Sequence, residues 1–433
     1  MPCKYTITEY DSFTRNIECE QNGFCTLPEK VFDNLLGFIS DNNDAIEILS
    51  ISAKKKLGTV ISAKNYVGVI CMKDGTIIEI LPKIYSKKAD NEINTKKIFI
   101  NMLKSVKELP FRNSGISSLS IEKMDILEIF IQIFIREVND LVKSGIKSDY
   151  KKYQNNEQFL KGKLLVSKHI TNNIIRQDRF FIEYDIFSVD RPENKLIKST
   201  LDLLKKITRN SKNKKDLMLL NVFFDEVTLS SDFEKDFLKC VNTRNMKEYE
   251  TVLKWCRVFL SRQSFTSFTG NNIAYALLFP MEKLFETYVA QEIKKYYKNQ
   301  NINIKTQDRK YHLFVEPRKM FLLKPDIVMW NQNNCVIVLD TKWKILNEKK
   351  KQYGISQSDI YQMYTYGKKY AAKKVILLYP YNNLVNKSSD NIHFNSGDGV
   401  DVDIIFIDLC HIQESLDNLN CIIQRECNLD IMD

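Results

Sequence analysis

Two acidic residues and a lysine lie at the ends of two apolar segments in the C-terminal part of the chain. Asp326 precedes the apolar segment 327–330, and Asp340 and Lys342 end the segment that begins at Cys335. Apolar, β-branched segments joined by a short Asn/Gln stretch are typical of a β-hairpin. Because side chains alternate along a strand, Asp340 and Lys342 should share a face, and a loop of three or five residues would put Asp326 opposite Asp340.

These residue types suit the hydrolysis of a phosphodiester. Mg²⁺ prefers oxygen ligands and usually binds one or two carboxylates, while water or phosphate oxygens fill its other positions. A bound metal supplies hydroxide near neutral pH, and a lysine beside it can neutralise the charge that develops on the phosphate. The alternative is an ordinary salt bridge at a strand end, which explains most isolated Asp-x-Lys triplets. The preceding Pro325 and the flanking segments favour the nuclease interpretation.

The segment after the hairpin is predicted to be a helix. Its serines at 356 and 358 are candidate N-cap residues, and Asp359, Gln362 and Tyr366 follow at helical spacing along one stripe. Tyrosines at such spacing often pack in a core. An amide and a phenol four residues apart beside an acid favour a polar site instead, so Gln362 and Tyr366 are predicted site residues.

A second predicted helix begins at Pro280, upstream of the hairpin. Glu282 and Glu286 lie one turn apart on it, where like charges repel by a few tenths of a kcal/mol unless a cation is near. Two interpretations stay open. Both glutamates are solvated, or Glu286 reaches the metal as a third carboxylate.

The order of these motifs resembles the PD-(D/E)xK nuclease superfamily and, more narrowly, the McrC family of modification-dependent restriction systems. Four C-terminal segments carry the resemblance, namely 279–289, 324–330, 339–344 and 359–367. Two earlier parts of the chain look like the N-terminal and middle signatures of that family, namely 65–70 with 75–84 and 183–185 with 190–195. The resemblance spans roughly residues 60 to 410, and the ordered set is specific where each motif alone is weak.

The resemblance implies a metal-dependent DNA endonuclease that acts within a GTP-driven restriction complex. A separate AAA+ GTPase of the McrB type would recognise modified DNA, and the N-terminal domain would dock on it and stimulate its GTPase. No Gly-x-x-x-x-Gly-Lys-Ser/Thr motif occurs, so this chain should not hydrolyse nucleotide itself. The implied catalytic residues are Asp326, Asp340, Lys342, Glu286, Gln362 and Tyr366, and Mg²⁺ or Mn²⁺ would be held by Asp326, Asp340 and Glu286.

Composition agrees with this interpretation. A net charge of +10 over 433 residues suits a polyanionic partner such as DNA. The sequence shows no apolar stretch long enough to cross a membrane and no signal peptide. The ten cysteines form no Cys-x-x-Cys pair, and four scattered histidines argue against a zinc site. These observations predict a cytoplasmic protein without a membrane partner.

The predicted fold is a multidomain mixture of α+β and α/β parts. Residues 1–90 are expected to form a β-rich, partner-docking domain that includes a hairpin from Tyr66 to Leu81 with an Asp-Gly turn. Residues 91–265 are expected to form a helical stalk, and residues 266–433 a PD-(D/E)xK core of the αβββαβ type that folds without the first 90 residues.

Two other functions remain open at this stage. A self-sufficient nuclease of the same superfamily would act in repair or recombination, but no zinc finger or recognition helix is apparent to guide it. A non-catalytic scaffold of the same fold is disfavoured because Asp326, Asp340 and Lys342 are all present. A neighbouring gene for an AAA+ GTPase would distinguish the restriction subunit from the self-sufficient nuclease.

Overall fold

The structure is a computed structural model of the full chain. It describes residues 4–15, 24–41, 48–55, 58–72, 74–84, 89–106, 124–240, 247–260, 273–300, 302–331, 336–382 and 391–427. Within these ranges, no helix is both long enough and apolar enough to span a bilayer.

Strands and helices alternate in groups along the chain. The strands are β1 (Lys4–Thr8), β2 (Ser12–Thr14), β3 (Phe24–Thr26), β4 (Leu49–Lys54), β5 (Gly58–Ala63), β6 (Tyr66–Met72), β7 (Ile77–Leu81), β8 (Asp149–Glu157), β9 (Lys163–Leu164), β10 (Phe180–Ser188), β11 (Ile273–Pro280), β12 (Ile302–Thr306), β13 (His312–Phe314), β14 (Met320–Leu322), β15 (Ile327–Asn331), β16 (Val336–Thr341), β17 (Lys374–Pro380), β18 (Asn391–Asn395) and β19 (Asp401–Ile407). The helices are α1 (Glu29–Asp41), α2 (Ala89–Leu103), α3 (Ile126–Ser144), α4 (Val166–Asn173), α5 (Pro192–Ile207), α6 (Ser211–Val222), α7 (Phe233–Lys239), α8 (Lys247–Leu260), α9 (Met281–Tyr296), α10 (Gln357–Tyr370) and α11 (Ile412–Cys427), with a 3-10 turn at Lys351–Gly354.

The chain divides into two compact units. The first contains residues 1–109, 120–123 and 264–433, and the second contains residues 110–119 and 124–263. The N-terminal segment and the C-terminal segment therefore belong to one unit. The functional division at residues 90 and 265 stays a prediction.

The N-terminal part of the first unit contains two four-stranded sheets, ordered β1-β7-β6-β11 and β3-β2-β5-β4. The predicted hairpin from Tyr66 to Leu81 is confirmed as β6 paired antiparallel with β7. Strand β11, about 200 residues later, pairs antiparallel with β6 and completes the first sheet. Gly68 is required there, since a Cβ atom would lie 1.9 Å from the carbonyl oxygen of Leu277 on β11.

The pairing of β11 with β6 determines which C-terminal fragment can be tested for independent folding. Residues 266–433 include β11, and three of the four strands in its sheet lie within the first 90 residues. A cut at residue 266 would leave this strand without β6. A fragment that begins at Met281 contains no strand of that sheet and is the cleaner test of independent folding.

A six-stranded mixed sheet, ordered β12-β15-β16-β17-β19-β18, forms the C-terminal part of the first unit. Strands β12, β15 and β16 pair antiparallel, whereas β16, β17 and β19 pair parallel. Helix α10 connects β16 to β17 and packs its residues Met363, Tyr366 and Tyr370 in one core cluster with Val338, Val375 and Leu377 of the sheet. The carboxyl end of β16 and one face of α10 therefore lie together.

The second unit is largely helical, but it also contains a sheet. Its longest helices are α3, α5 and α8. The sheet β8-β10-β9 was not predicted. Strand β8 is exposed along most of its length, so its polar sequence lacks the apolar alternation that marks a half-buried strand.

The middle signature has a structural role in this unit. Buried Asn194, in the first turn of α5, donates from Nδ2 to the carbonyl oxygens of Val189 (2.7 Å) and Lys147 (3.1 Å). The hydroxyl of Tyr249 on α8 donates to its Oδ1 at 2.9 Å. Asn194 therefore ties α5 to α8 and to the ends of the sheet.

Candidate active site

The hairpin of β15 and β16 places the two aspartates as the sequence predicts. Ile327 pairs with Leu339, so the next position puts Asp326 opposite Asp340. Trp330 pairs with Val336 at the other end of the ladder. The polar connection between them is described only at Asn331, because residues 332–335 lie outside the described ranges.

Asp326 is fixed by the residue that follows Asp340. The backbone N–H and the hydroxyl of Thr341 both donate to Oδ2 of Asp326, each at 2.7 Å. Its Oδ1 accepts a longer bond of 3.4 Å from the side-chain amide of Gln307. Asp326 is half-buried directly before β15, and its bonds to Thr341 of β16 fix the orientation of its side chain.

Asp340, Lys342, Gln362 and Tyr366 form a chain of polar contacts. The Nζ of Lys342 lies 2.6 Å from Oδ2 of Asp340 and donates to Oε1 of Gln362 at 3.0 Å. The side-chain amide of Gln362 donates to the hydroxyl of Tyr366 at 2.8 Å. The predicted stripe of α10 thus reaches the predicted lysine.

Glu286 joins the site through Gln307. The side-chain amide of Gln307 donates to Oε1 of Glu286 and also contacts Asp326. Glu282, one turn earlier on α9, is exposed. Glu286 is therefore the glutamate of that pair that faces the aspartates, while its direct binding to a metal stays a prediction.

Burial raises the pKa values of all three acids, and the charge of a neighbouring acid adds to this for Glu286 and Asp340. Burial, followed by the charge of Asp326, raises the pKa of Glu286 to about 7. Burial raises the pKa of Asp340, and Asp326 adds to this, while burial also raises the pKa of Asp326 against the two bonds from Thr341. Burial alone would lower the pKa of Lys342, but the charges of Asp340 and Asp326 outweigh it and keep the ammonium protonated.

This donor set fits a hard divalent cation. Three oxygen donors with raised pKa values repel one another, and a cation relieves that repulsion. Among the described residues, no three Asp, Glu, His or Cys side chains are gathered closely enough to hold a metal as they stand. Mg²⁺ usually binds only one or two carboxylates and completes its shell with water, so Asp326 and Asp340 suffice, with Glu286 nearby.

Asp359, the first acid of the predicted stripe, has a different partner. Its Oδ2 accepts from Lys344 Nζ at 2.7 Å, and its backbone N–H is capped by Ser356 at the start of α10. The confirmed N-cap is thus Ser356. Asp359 anchors the segment that follows Lys342.

Sequence reasoning missed Gln307, the role of Thr341, and the contact of Trp343 with Glu9. Thr341 lies within the motif, so a search for donors next to the aspartates would have found it. Gln307 has a left-handed backbone (φ 52°) after β12 and no periodic signal marks it. Glu9 is far away in sequence.

Trp343 links the site to the N-terminal sheet within the first unit. Its indole N–H donates to the buried carboxylate of Glu9 at 2.9 Å, and its ring packs on Phe285, with centroids 5.3 Å apart. Phe285 precedes Glu286 on α9. Burial raises the pKa of Glu9 to about 7, although the indole N–H stabilises its charged form.

Comparison with known proteins assigns a family. A family model described as McrBC 5-methylcytosine restriction system component matches residues 61–380. No match was found among curated proteins.

Two solved structures share the fold at 19% sequence identity. One is a chain in the refined half-complex of a tetradecameric assembly of Thermococcus gammatolerans McrB AAA+ hexamers with bound McrC, with a TM-score of 0.70 over 96% of this chain and 100% of that chain. The other is a chain in the Thermococcus gammatolerans McrBC complex, with a TM-score of 0.50 over 67% of this chain and 87% of that chain. The family model spans most of the sequence and confirms the resemblance that the motifs indicate, so this chain belongs to the McrBC family of 5-methylcytosine restriction system components.

Proposed function

We propose that this chain is the endonuclease subunit of a GTP-dependent, McrBC-like restriction complex. The observation that carries the proposal is the convergence of Asp326, Asp340 and Lys342 with Gln362 of α10 and Glu286 of α9. If the separate pair β13 and β14 is treated as an insertion, the order α9, β12, β15, β16, α10, β17 is compatible with an αβββαβ core of the PD-(D/E)xK type, and this supports the same proposal.

Each side chain of the site has a proposed role that follows from its chemistry. Asp326 and Asp340 would hold Mg²⁺ or Mn²⁺, with Glu286 as a third acid, and the metal when bound activates water and polarises the phosphoryl oxygen. Lys342 carries a positive charge where the phosphate gains negative charge. Gln362 orients the ammonium of Lys342, and Tyr366 orients the amide of Gln362.

DNA and a GTPase are the proposed partners. The net charge of +10 favours a polyanion. One solved structure with this fold contains McrB AAA+ hexamers with bound McrC, and the present sequence contains no Gly-x-x-x-x-Gly-Lys-Ser/Thr motif. We infer that its N-terminal part docks on a McrB-type GTPase and stimulates GTP hydrolysis.

A cleavage assay tests the nuclease assignment. Purified chain with a McrB-type partner and GTP should cut plasmid DNA when Mg²⁺ or Mn²⁺ is present and should stop when EDTA removes the metal. Cleavage that persists in EDTA would contradict a metal-dependent mechanism.

Thermal unfolding gives a pH-dependent prediction for metal binding. A folded-state pKa of about 7 for Glu286, above its ordinary 4.5, means that the metal-free fold binds protons more tightly than the unfolded chain. The contribution of this acid to stability is therefore lost as the pH rises through that interval. Because metal binds the deprotonated acids, stabilisation by Mg²⁺ or Mn²⁺ should grow from about pH 5.5 to about pH 8.

The size of this effect depends on the affinity for the metal. Metal at about 100 times its dissociation constant stabilises the fold by about 2.7 kcal/mol. An Asp326→Asn/Asp340→Asn double variant is the control and should show little metal response at either pH. Equal metal stabilisation of wild type and double variant would exclude these aspartates as ligands.

The supporting residues should have graded effects on cleavage. Gln362→Ala and Glu286→Gln should each lower the cleavage rate by about 10-fold to 100-fold, since they orient Lys342 or adjust the charge near the metal. Glu282→Gln, on the same helix but exposed, and Tyr361→Phe, on the exposed side of α10, are matched controls. Losses of equal size in the controls would contradict the assigned roles.

A further inference from the structure

A two-stranded β-ribbon lies between Gln307 and Asp326 in the sequence. Strands β13 and β14 pair antiparallel with each other and form a sheet separate from the six-stranded one. We define the ribbon as residues 308–325, which leave the sheet after β12 and return before β15. The ribbon does not contain Asp326, Asp340 or Glu286, the three acids of the candidate active site.

The base of the ribbon is closed by groups of the candidate active site. The backbone N–H of Gln307 donates to the carbonyl oxygen of Asp326 at 2.9 Å, so the residues flanking the ribbon are bonded to each other. The side chain of Gln307 also contacts Glu286 and Asp326. A phosphodiester placed at the carboxylates would therefore lie at the foot of the ribbon.

Large apolar side chains on the ribbon are exposed. Phe314 is 52% exposed, Val315 64% and Phe321 64%. The two phenylalanine rings contact each other edge to face, with centroids 5.9 Å apart. Phe321 also has a left-handed backbone (φ 56°), which is uncommon for a bulky residue. Clustered exposed apolar groups of this kind mark interaction sites.

The ribbon carries more exposed basic residues than exposed acidic residues. Asp308 is buried and pairs with Lys305 at 2.6 Å, which leaves Glu316 as the exposed acid of the ribbon. The ribbon has five exposed basic residues, namely Arg309, Lys310, Arg318, Lys319 and Lys324. Exposed cations together with exposed aromatic rings are complementary to a polyanion that also has apolar surface. Duplex DNA has this combination, because its phosphates line grooves in which the base edges carry apolar groups.

We infer that the ribbon binds duplex DNA by entering a groove, with its basic residues on the phosphates and Phe314 and Phe321 against the bases. The inference rests on DNA as the proposed substrate and adds the element that holds it. The major groove of B-DNA is about 12 Å wide and admits a two-stranded β-ribbon. Apolar side chains in a groove contact thymine methyl groups or wedge between base steps, while basic side chains fix the register on the duplex.

Salt-dependent DNA binding tests the basic residues of the ribbon. The assay measures binding of the full chain to a labelled duplex in EDTA, so that no cleavage occurs. Arg318→Ala/Lys319→Ala should weaken binding by about tenfold or more and reduce the slope of log K against log salt by about 2. The matched control is Lys214→Ala/Lys215→Ala, an exposed pair on α6 with the same change in net charge.

The phenylalanines give a different signature in the same assay. Phe314→Ala/Phe321→Ala should weaken binding by about tenfold with the salt slope unchanged, because no phosphate contact is removed. Phe223→Ala, which removes a similarly exposed ring from the second unit, should bind like wild type. Since all these side chains are exposed, the unfolding temperature should stay at the wild-type value.

The outcomes separate this inference from the proposed function. If wild type binds DNA and the ribbon variants match their controls, the ribbon does not bind DNA although the substrate assignment stands. If wild type shows no binding to DNA, the proposed substrate is wrong and the ribbon inference fails with it. Ribbon variants that bind DNA normally but no longer bind a McrB-type partner would assign the ribbon to a protein interface instead.

Discussion

Asp340→Asn should abolish DNA cleavage while the chain stays folded and bound to its GTPase partner. We expect a loss of at least about 10³-fold in the cleavage rate, because the variant removes a proposed metal ligand and the charge partner of Lys342. The fold should tolerate the change. Burial raises the pKa of Asp340, so its charged form is costly at neutral pH, and a neutral amide of the same shape removes that cost.

Asp326→Asn and Lys342→Ala should lose cleavage to a similar degree. An amide at position 326 can still accept from Thr341, so the hairpin should keep its structure while metal affinity falls. Asp403→Asn is a matched control. Asp403 is a buried acid of the same sheet, its partner is Lys374, with 3.0 Å between Nζ and Oδ2, and neither residue belongs to the proposed site. Wild-type cleavage in any one of the three site variants would overturn the catalytic assignment.

Removal of residues 1–280, which include the proposed N-terminal docking part, should have the second large effect, on partner binding rather than on the metal site. The fragment 281–433 contains α9, α10 and the whole six-stranded sheet, so it should fold and bind metal. It lacks the proposed docking part, and we expect complete loss of GTPase stimulation and of partner-dependent cleavage. The indole of Trp343 loses Glu9 in this fragment, which should lower its stability by about 1 kcal/mol.

Two readouts separate docking from catalysis. Pull-down of the GTPase and measurement of GTP turnover should give wild-type values for full-length Asp340→Asn and background values for the fragment. Metal binding should show the opposite pattern. Undiminished GTPase stimulation by the fragment would place the docking surface outside the N-terminal segment.

The local part of the candidate site could be predicted from the sequence. The β15–β16 hairpin follows from two apolar runs, and Asp326 is expected opposite Asp340 for a loop of three or five residues. The last pair, Trp330 with Val336, leaves five residues between the paired positions, so that condition is met. Helical spacing likewise brought Gln362 and Tyr366 to the same side of α10. Each of these features depends on residues close together in the chain.

Long-range features could not be predicted from the same patterns. The apolar sequence of β11 is compatible with many partners, and only the folded chain shows that it pairs with β6. Gln307 binds two of the acids from a left-handed turn that no periodicity marks. Glu9 and Trp343 are 334 residues apart, and neither belongs to a repeating pattern that would connect them.

Cleavage of DNA by the complete system tests the central claim most directly. The assay compares methylated and unmethylated plasmids with Mg²⁺, with or without the McrB-type GTPase and GTP, for wild type and for Asp340→Asn. The proposal predicts that wild type cuts methylated DNA only when partner and GTP are both present, and that Asp340→Asn cuts nothing while it stimulates GTP hydrolysis normally. Cleavage by Asp340→Asn at the wild-type rate would show that another site performs the hydrolysis.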